Sequence, residues 1–409
     1  MVRKFISFLG TGNYKPCRYK LREQTSNDVC FIQEALVGFL CRKWTKKDSI
    51  FIFVTKEAKE RHWEELSRAL KQMNLQCAIK SIDIEDSKTE ADIWNLFKNL
   101  YDAIDADESI IFDLTHSFRY LPMLFFSILN YAQYLKHISV DGIYYGAFEA
   151  RTTDDNVAPV FDLVDSYTVL QWANAADAFT NYGIADKLYR QIKKQDMEFS
   201  DSGKLSDSIL TLARNMNCAR GQRIYEGKMF SNCVEKINIY KHSADIKLNP
   251  ILLPILDSVE HKITPFKNNS ALNFVPAVQW YIDHDMPVEA LSMLKEGIIT
   301  YLLDRNGDDF KNQALRLVLG QRLAFFGKIF DYKPNQKKFE KSVESILATE
   351  IAKKVKPIIE RFNNFRNDIG HSGFVEQARN PDNLKKELDD AFNAVIGIFK
   401  EEGIISLNF

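Results

Sequence analysis

Cysteine is scarce in this chain of 409 residues: there are six, at positions 17, 30, 41, 77, 218 and 233, and no two form a C-x-x-C pair. Several sit inside apolar stretches. That pattern argues against a zinc site or a disulfide framework and for a reducing compartment. Long apolar runs are missing too. The longest, Leu121 to Leu135, is interrupted by Ser127, Asn130 and Gln133, so nothing has the apolar length of a membrane span. An excess of either charge is also absent. The 54 Lys and Arg stand against 55 Asp and Glu, a net charge of −1, without the global basic field of a non-specific nucleic-acid coat. Any RNA contact must be local. Internal repeats and low-complexity tracts are lacking, and the first residues read as a strand with no signal peptide. A cytoplasmic protein with no membrane association is expected. At 45% hydrophobic and 27% charged the composition is globular, and the length calls for two or three domains.

What is present in the first half is a regular alternation. Lys4–Gly10, Ser49–Thr55, Cys77–Ile84, Ser109–Leu114 and Gly142–Phe148 read as strands. Val29–Trp44, Glu57–Leu75, Ala91–Ile104 and Leu121–Leu135 read as the helices between them. Alternation of this kind predicts an α/β domain, Rossmann-like, with a doubly wound parallel sheet and right-handed crossovers. Ligands of such sheets bind outside the carboxyl ends of the strands.

Two of those ends are unusual. Gly10-Thr11-Gly12-Asn13-Tyr14 offers backbone N–H groups and small polar side chains suited to a phosphate or a base edge. It also reads as a plain tight turn. It is a poor dinucleotide fingerprint, because a third glycine is missing and the next strand ends in Thr55, where an acidic ribose ligand is required. The other end, Asp113-Leu114-Thr115-His116-Ser117-Phe118-Arg119, gathers hydroxyls, an imidazole and a guanidinium, groups able to meet an anion. A helix entry capped by Thr115 or Ser117, with Arg119 solvated, is its plainer alternative.

From Tyr167 onward strand patterns vanish. Trp172, Ala176 and Phe179 fall at helical spacing, and Leu205–Asn217 and Ser231–Tyr240 continue it. Pro250, Pro254 and Pro265 interrupt the stretch 241–269, which marks a boundary inside the helical half. Ala277–Leu303 reads as one long helix, its Glu296 facing solvent or orienting Arg366. The last helix starts at Asn380-Pro381. Domains over 1–165, 166–270 and 271–409 result. Near the C-terminus, Pro357–Phe365 reads as a helix stopping at Gly370, within Arg366-Asn367-Asp368-Ile369-Gly370-His371. Taken alone, this is either a helix-end histidine near a surface arginine or a cation and an imidazole held together to bind and protonate a phosphate. Lys337, Lys338, Lys341, Lys353, Lys354 and Lys356 precede it, alternating with glutamates in the manner of a solvated helix face or an approach for RNA phosphates.

The motifs Phe8 to Tyr14, Asp113 to Pro122, Phe161-Asp162-Leu163 with Trp172-Ala173 and Ala176, and Arg366 to His371 occur in one order along the chain. Together they resemble the CARF–HEPN ribonucleases, the stand-alone effectors of type III CRISPR systems. The resemblance departs at Ser117, where the family often has glycine. It implies a CARF sensor domain, a helical connecting region and a C-terminal helical HEPN domain. It further implies a cyclic oligoadenylate, tetra- or hexa-adenylate, as allosteric activator bound by Gly10, Thr11, Gly12, Asn13, Thr115, His116, Ser117 and Arg119. Some such domains also cleave that ring slowly, and here Thr11 or Ser117 would be placed to assist.

The chemistry expected at the second motif needs no metal. The 2′-hydroxyl of single-stranded RNA is the nucleophile, His371 transfers the proton, Arg366 meets the developing charge, and Asn367 holds a phosphate or orients His371. One Arg–His pair supplies too few groups, which predicts a homodimer with the active site on its twofold axis. No cofactor and no stable complex with the type III effector are expected. A non-catalytic nucleotide-sensing regulator is the rival. It calls for a basic helix-turn-helix that the sequence lacks. A nicotinamide-dependent oxidoreductase is disfavoured by Thr55 and the incomplete glycine pattern.

Overall fold

The computed structural model describes residues 1–85, 89–116, 120–196, 203–242, 252–324, 333–370, 374, 376, 378 and 380–406, with backbone alone at 194–196, 203, 204 and 362–370. The described residues form two compact units, Met1–Leu170 and Gln171–Phe409.

The first unit is built on eight strands: β1 (Val2–Leu9), β2 (Arg18–Leu21), β3 (Gln24–Thr25), β4 (Ser49–Val54), β5 (Ala78–Asp83), β6 (Glu108–Asp113), β7 (Ser139–Gly146) and β8 (Val157–Asp162). They form one sheet in the order β3-β2-β8-β7-β6-β1-β4-β5. From β7 to β5 every pairing is parallel, with Phe5 opposite both Ile50 and Ile111. The expectation of a wholly parallel sheet needs correction. β8 runs antiparallel to β7, and β3 antiparallel to β2, so the sheet is mixed. The physical reason is the short connection 147–156, which turns the chain straight back on β7 and leaves no length for a crossover helix.

From Phe5 to Leu9 β1 is apolar on both faces apart from Ser7, because both faces are covered. Phe5 and Leu9 join a core with Leu36, Ile52, Leu66 and Leu70, beneath helices Ile32–Leu40 and Glu64–Gln72. Ile6 and Phe8 point the other way, into a core with Leu96, Phe112, Phe125 and Leu129 under helices Glu90–Asp102 and Leu121–Leu135. Lys4 is buried on that second side. Its Nζ lies 2.7 Å from Glu108, 3.0 Å from Asp105 and 2.6 Å from the Ala103 carbonyl, which satisfies its three donors.

In the second unit, among the described residues, only helices and turns occur. Its apolar core runs from Trp172 to Phe399. Helix Pro381–Glu401 starts as its sequence predicts, with the Asn380 side chain accepting from the Asp382 N–H at 2.8 Å. The long helix expected over Ala277–Leu303 is two: Phe274–Asp283 and Pro287–Arg305. Asp285 takes a left-handed φ of 57°, and Pro287 opens the second helix, where its missing N–H is not needed. Arg366 and Asn367 fall in helix Glu350–Gly370, which begins seven residues before the Pro357 from which the sequence reading started it. No helix among the described residues is long and apolar enough to cross a membrane.

Candidate ligand site at the strand ends

β1 pairs with β4 on one side and β6 on the other, so the chain leaves its carboxyl end in one direction first and returns to the other side later. This is the topological switch point of the sheet. The connections leaving β1, β4, β6 and β7 meet along that edge.

The first connection is closed by its own tyrosine. The Tyr14 hydroxyl accepts from the Gly10 N–H at 2.9 Å and donates to the Gly10 carbonyl at 3.2 Å. Gly10 therefore spends its N–H inside the loop. A side chain at Gly10 would stand 3.3 Å from that hydroxyl and 3.6 Å from the His116 Cβ, so glycine allows the two strand ends to touch. The Tyr14 ring packs 4.7 Å from Phe31, and two imidazoles meet its ring edge to face, His62 and His116, each at 4.8 Å. Burial pushes the Tyr14 hydroxyl up to about 12, so it keeps its proton. Thr11 is half-buried, with its carbonyl accepting from Arg61 at 3.0 Å, while Gly12 and Asn13 are exposed.

The β6 end is anchored from below. Asp113 is fully buried. It accepts from the Ser7 hydroxyl at 2.7 Å, the Thr115 N–H at 2.9 Å and the Thr115 hydroxyl at 2.6 Å. Gln33, also buried, donates to Ser7 Oγ at 3.1 Å and to the Phe8 carbonyl at 2.8 Å. Thr115 Oγ1 accepts from the Gly146 N–H at 2.8 Å, which ties the β6 end to the β7 end. The Thr115 hydroxyl thus gives its proton to Asp113. Burial raises the Asp113 carboxyl above its ordinary range against the pull of these bonds. Burial lowers His116, against the pull of Asp113 and Glu149, which favours a neutral imidazole. The Nε2 atoms of His62 and His116 are both shielded from water and have no partner among the described residues.

Of the residues singled out from the sequence, Gly10, Thr11, Gly12, Asn13, Thr115 and His116 lie along this edge. Ser117 and Arg119 lie outside the described residues, as do His371 and the side chains of Arg366 and Asn367. Sequence reasoning missed Ser7, Gln33, Arg61 and His62. Two of them carried a signal: Ser7 is the polar break in Phe5-Ile6-Ser7-Phe8-Leu9, and Gln33 stands in the apolar face of its helix. Glu296 is paired with Arg316 at 2.6 Å and is half exposed.

The fold and the site define a class: a mixed sheet with a switch-point edge of the kind that binds ligands, followed by a helical region. The family profile of the CARF domain of the CRISPR system endoribonuclease Csx1 matches residues 4–149. That of the second domain of the CRISPR-associated protein MJ1674 matches residues 168–271. Over 392 residues, covering 77% of the chain, the sequence is 24% identical to CRISPR-associated protein MJ1674 of Methanocaldococcus jannaschii. The chain spans 61% of that relative's length. Together these matches support a place in a Csx1-like CARF effector family of CRISPR-associated proteins.

Proposed function

We propose that the chain is a metal-independent single-stranded RNA endoribonuclease of type III CRISPR defence, activated by a cyclic oligoadenylate. The observation that carries the reading is the strand-end site of the CARF unit, on a chain whose helical half bears Arg366 and Asn367 late in helix Glu350–Gly370 and His371 next after it. The ring binds across the CARF units of a homodimer. In the helical half, two Arg366–His371 pairs act on one phosphodiester at the twofold axis. The substrate's 2′-oxygen forms a bond to phosphorus as the P–O5′ bond breaks. One imidazole takes the 2′ proton, the other protonates the leaving oxygen, and Arg366 meets the charge on the phosphorane. The products are a 2′,3′-cyclic phosphate and a 5′-hydroxyl, and DNA survives for want of the 2′-hydroxyl. In this reading the chain divides at about 166 and 271, a division supported by the second-domain match over 168–271.

The test uses full-length protein and labelled RNA in EDTA, with and without cyclic tetra- or hexa-adenylate. Wild type is expected to cleave only with one of the rings, and Arg366→Ala or His371→Ala to lose at least about a hundredfold of that rate, the range of a lost general acid–base or electrostatic group. Ring binding without cleavage by the wild type overturns the ribonuclease reading in favour of a silent sensor. Cleavage that ignores the rings overturns the switch.

A further inference from the structure

After β4 the chain enters a helical stretch that is not uniform. Thr55 caps Lys56–Ala58, accepting from the Ala58 N–H at 3.2 Å, and the next turn, Lys59–Trp63, is a π turn before the α-helix resumes at Glu64. A π turn fits one extra residue into a helix and re-aims the side chains it carries, and such turns are frequent at functional sites. Here it brings two consecutive polar side chains to the β1 loop. Arg61 Nη1 donates to the Thr11 carbonyl at 3.0 Å, and its Nη2 sits 2.7 Å from Glu57. The His62 ring meets Tyr14 edge to face, as the His116 ring does.

We infer that Arg61 and His62 are part of the ligand site: Arg61 takes a phosphate of the cyclic oligoadenylate, and His62 pairs with His116 to hydrogen-bond the ring around Tyr14. The inference rests on the sensor reading above and adds two residues that neither the sequence motifs nor the family profiles name. Arg61 is about half exposed and held by one carbonyl and one exposed carboxylate, contacts weak enough to exchange for a bidentate phosphate. The Nε2 atoms of the two imidazoles are shielded from water and lack partners among the described residues, whereas buried polar atoms are normally satisfied, so the ring meets them only once the loop around Tyr14 shifts. Adenine edges and ribose hydroxyls supply both donors and acceptors for them. Glu57 then acts as the competitor that occupies the cation when the ring is absent.

This predicts effects of opposite sign at two exposed neighbours. Binding of cyclic tetra- and hexa-adenylate to the full chain is measured by calorimetry, for wild type, Arg61→Ala, Arg61→Lys, Glu57→Gln and His62→Ala. Arg61→Ala is expected to weaken the preferred ring about tenfold or more, and Arg61→Lys to recover part of the loss, since lysine keeps the charge without the fork. Glu57→Gln is expected to tighten binding by about threefold through release of the cation. His62→Ala is expected to weaken binding, with the unfolding midpoint of each variant read alongside. Equal affinities for wild type and Arg61→Ala overturn the inference and leave the sensor reading intact. So does a Glu57→Gln protein that binds as weakly as Arg61→Ala, because the pair would then only shape the loop. A wild type that binds neither ring overturns the sensor reading itself and the inference with it.

Discussion

Asp48, just ahead of β4, has almost no exposed surface. It accepts from the Arg3 N–H at 2.9 Å, Arg3 Nη2 at 2.8 Å and the Thr45 N–H at 2.7 Å. Burial on its own would raise the carboxyl, but the bonds from Arg3 and Thr45 hold it well below its ordinary value of 3.8. A carboxyl lowered on folding contributes stability that is present above the unfolded value and lost as pH falls through the folded one. The first unit is therefore expected to lose stability below about pH 4. Asp48→Asn, which cannot carry the charge, should cost about 2 kcal/mol at pH 7 and show a smaller further loss at pH 3. Thermal unfolding of the two proteins at both pH values checks this, and parallel pH profiles would contradict it. The same rule, that a buried polar atom must be satisfied, built the base of the ligand site from Ser7, Gln33 and Asp113. Only Asp113 of these stood in a motif that the sequence reading quoted. Which polar residues meet under a sheet depends on register and on helix docking, and neither is written in local spacing.

Elements with strong apolar periodicity were legible. Leu121–Leu135 has the bounds that its pattern gave, and the five parallel strands fall where apolar runs placed them to within two or three residues. The short antiparallel strands escaped. β2 and β3 span four and two residues, and β8 carries Pro159, which gives no N–H to a ladder. The π turn escaped as well, because one extra residue in a turn leaves the helical pattern nearly unchanged. At the end of helix Gly221–Glu226, Gly227 has a φ of 70°, and a Cβ there would run into the Lys267 carbonyl. Gly227→Ala is expected to destabilise the second unit by at least about 2 kcal/mol. Gly397, inside helix Pro381–Glu401 with nothing within 4 Å of a Cβ, supplies the control: Gly397→Ala should be neutral or stabilise by up to about 1 kcal/mol. Urea midpoints separate the two. A Gly227→Ala protein as stable as wild type would contradict the packing account.

The whole chain joins a mixed-sheet unit to a helical half, and the proposed function needs them to act as sensor and effector of one switch. Ligand affinity and ribonuclease alignment must then favour the same dimer state, which makes ring binding and activation reciprocal. The halves were unequally legible: the strand-end edge lies among the described residues except for Ser117 and Arg119, whereas His371 and the side chains of Arg366 and Asn367 lie outside them. The twofold arrangement carries the most direct consequence. A ring shared by two CARF units binds once per two chains, whereas a ligand held by one unit binds once per chain. Calorimetric titration of the full-length protein with cyclic tetra- and hexa-adenylate measures that ratio. Saturation by one of the rings at one per two chains is the predicted result. Saturation at one per chain, or no binding of either ring, would contradict the account.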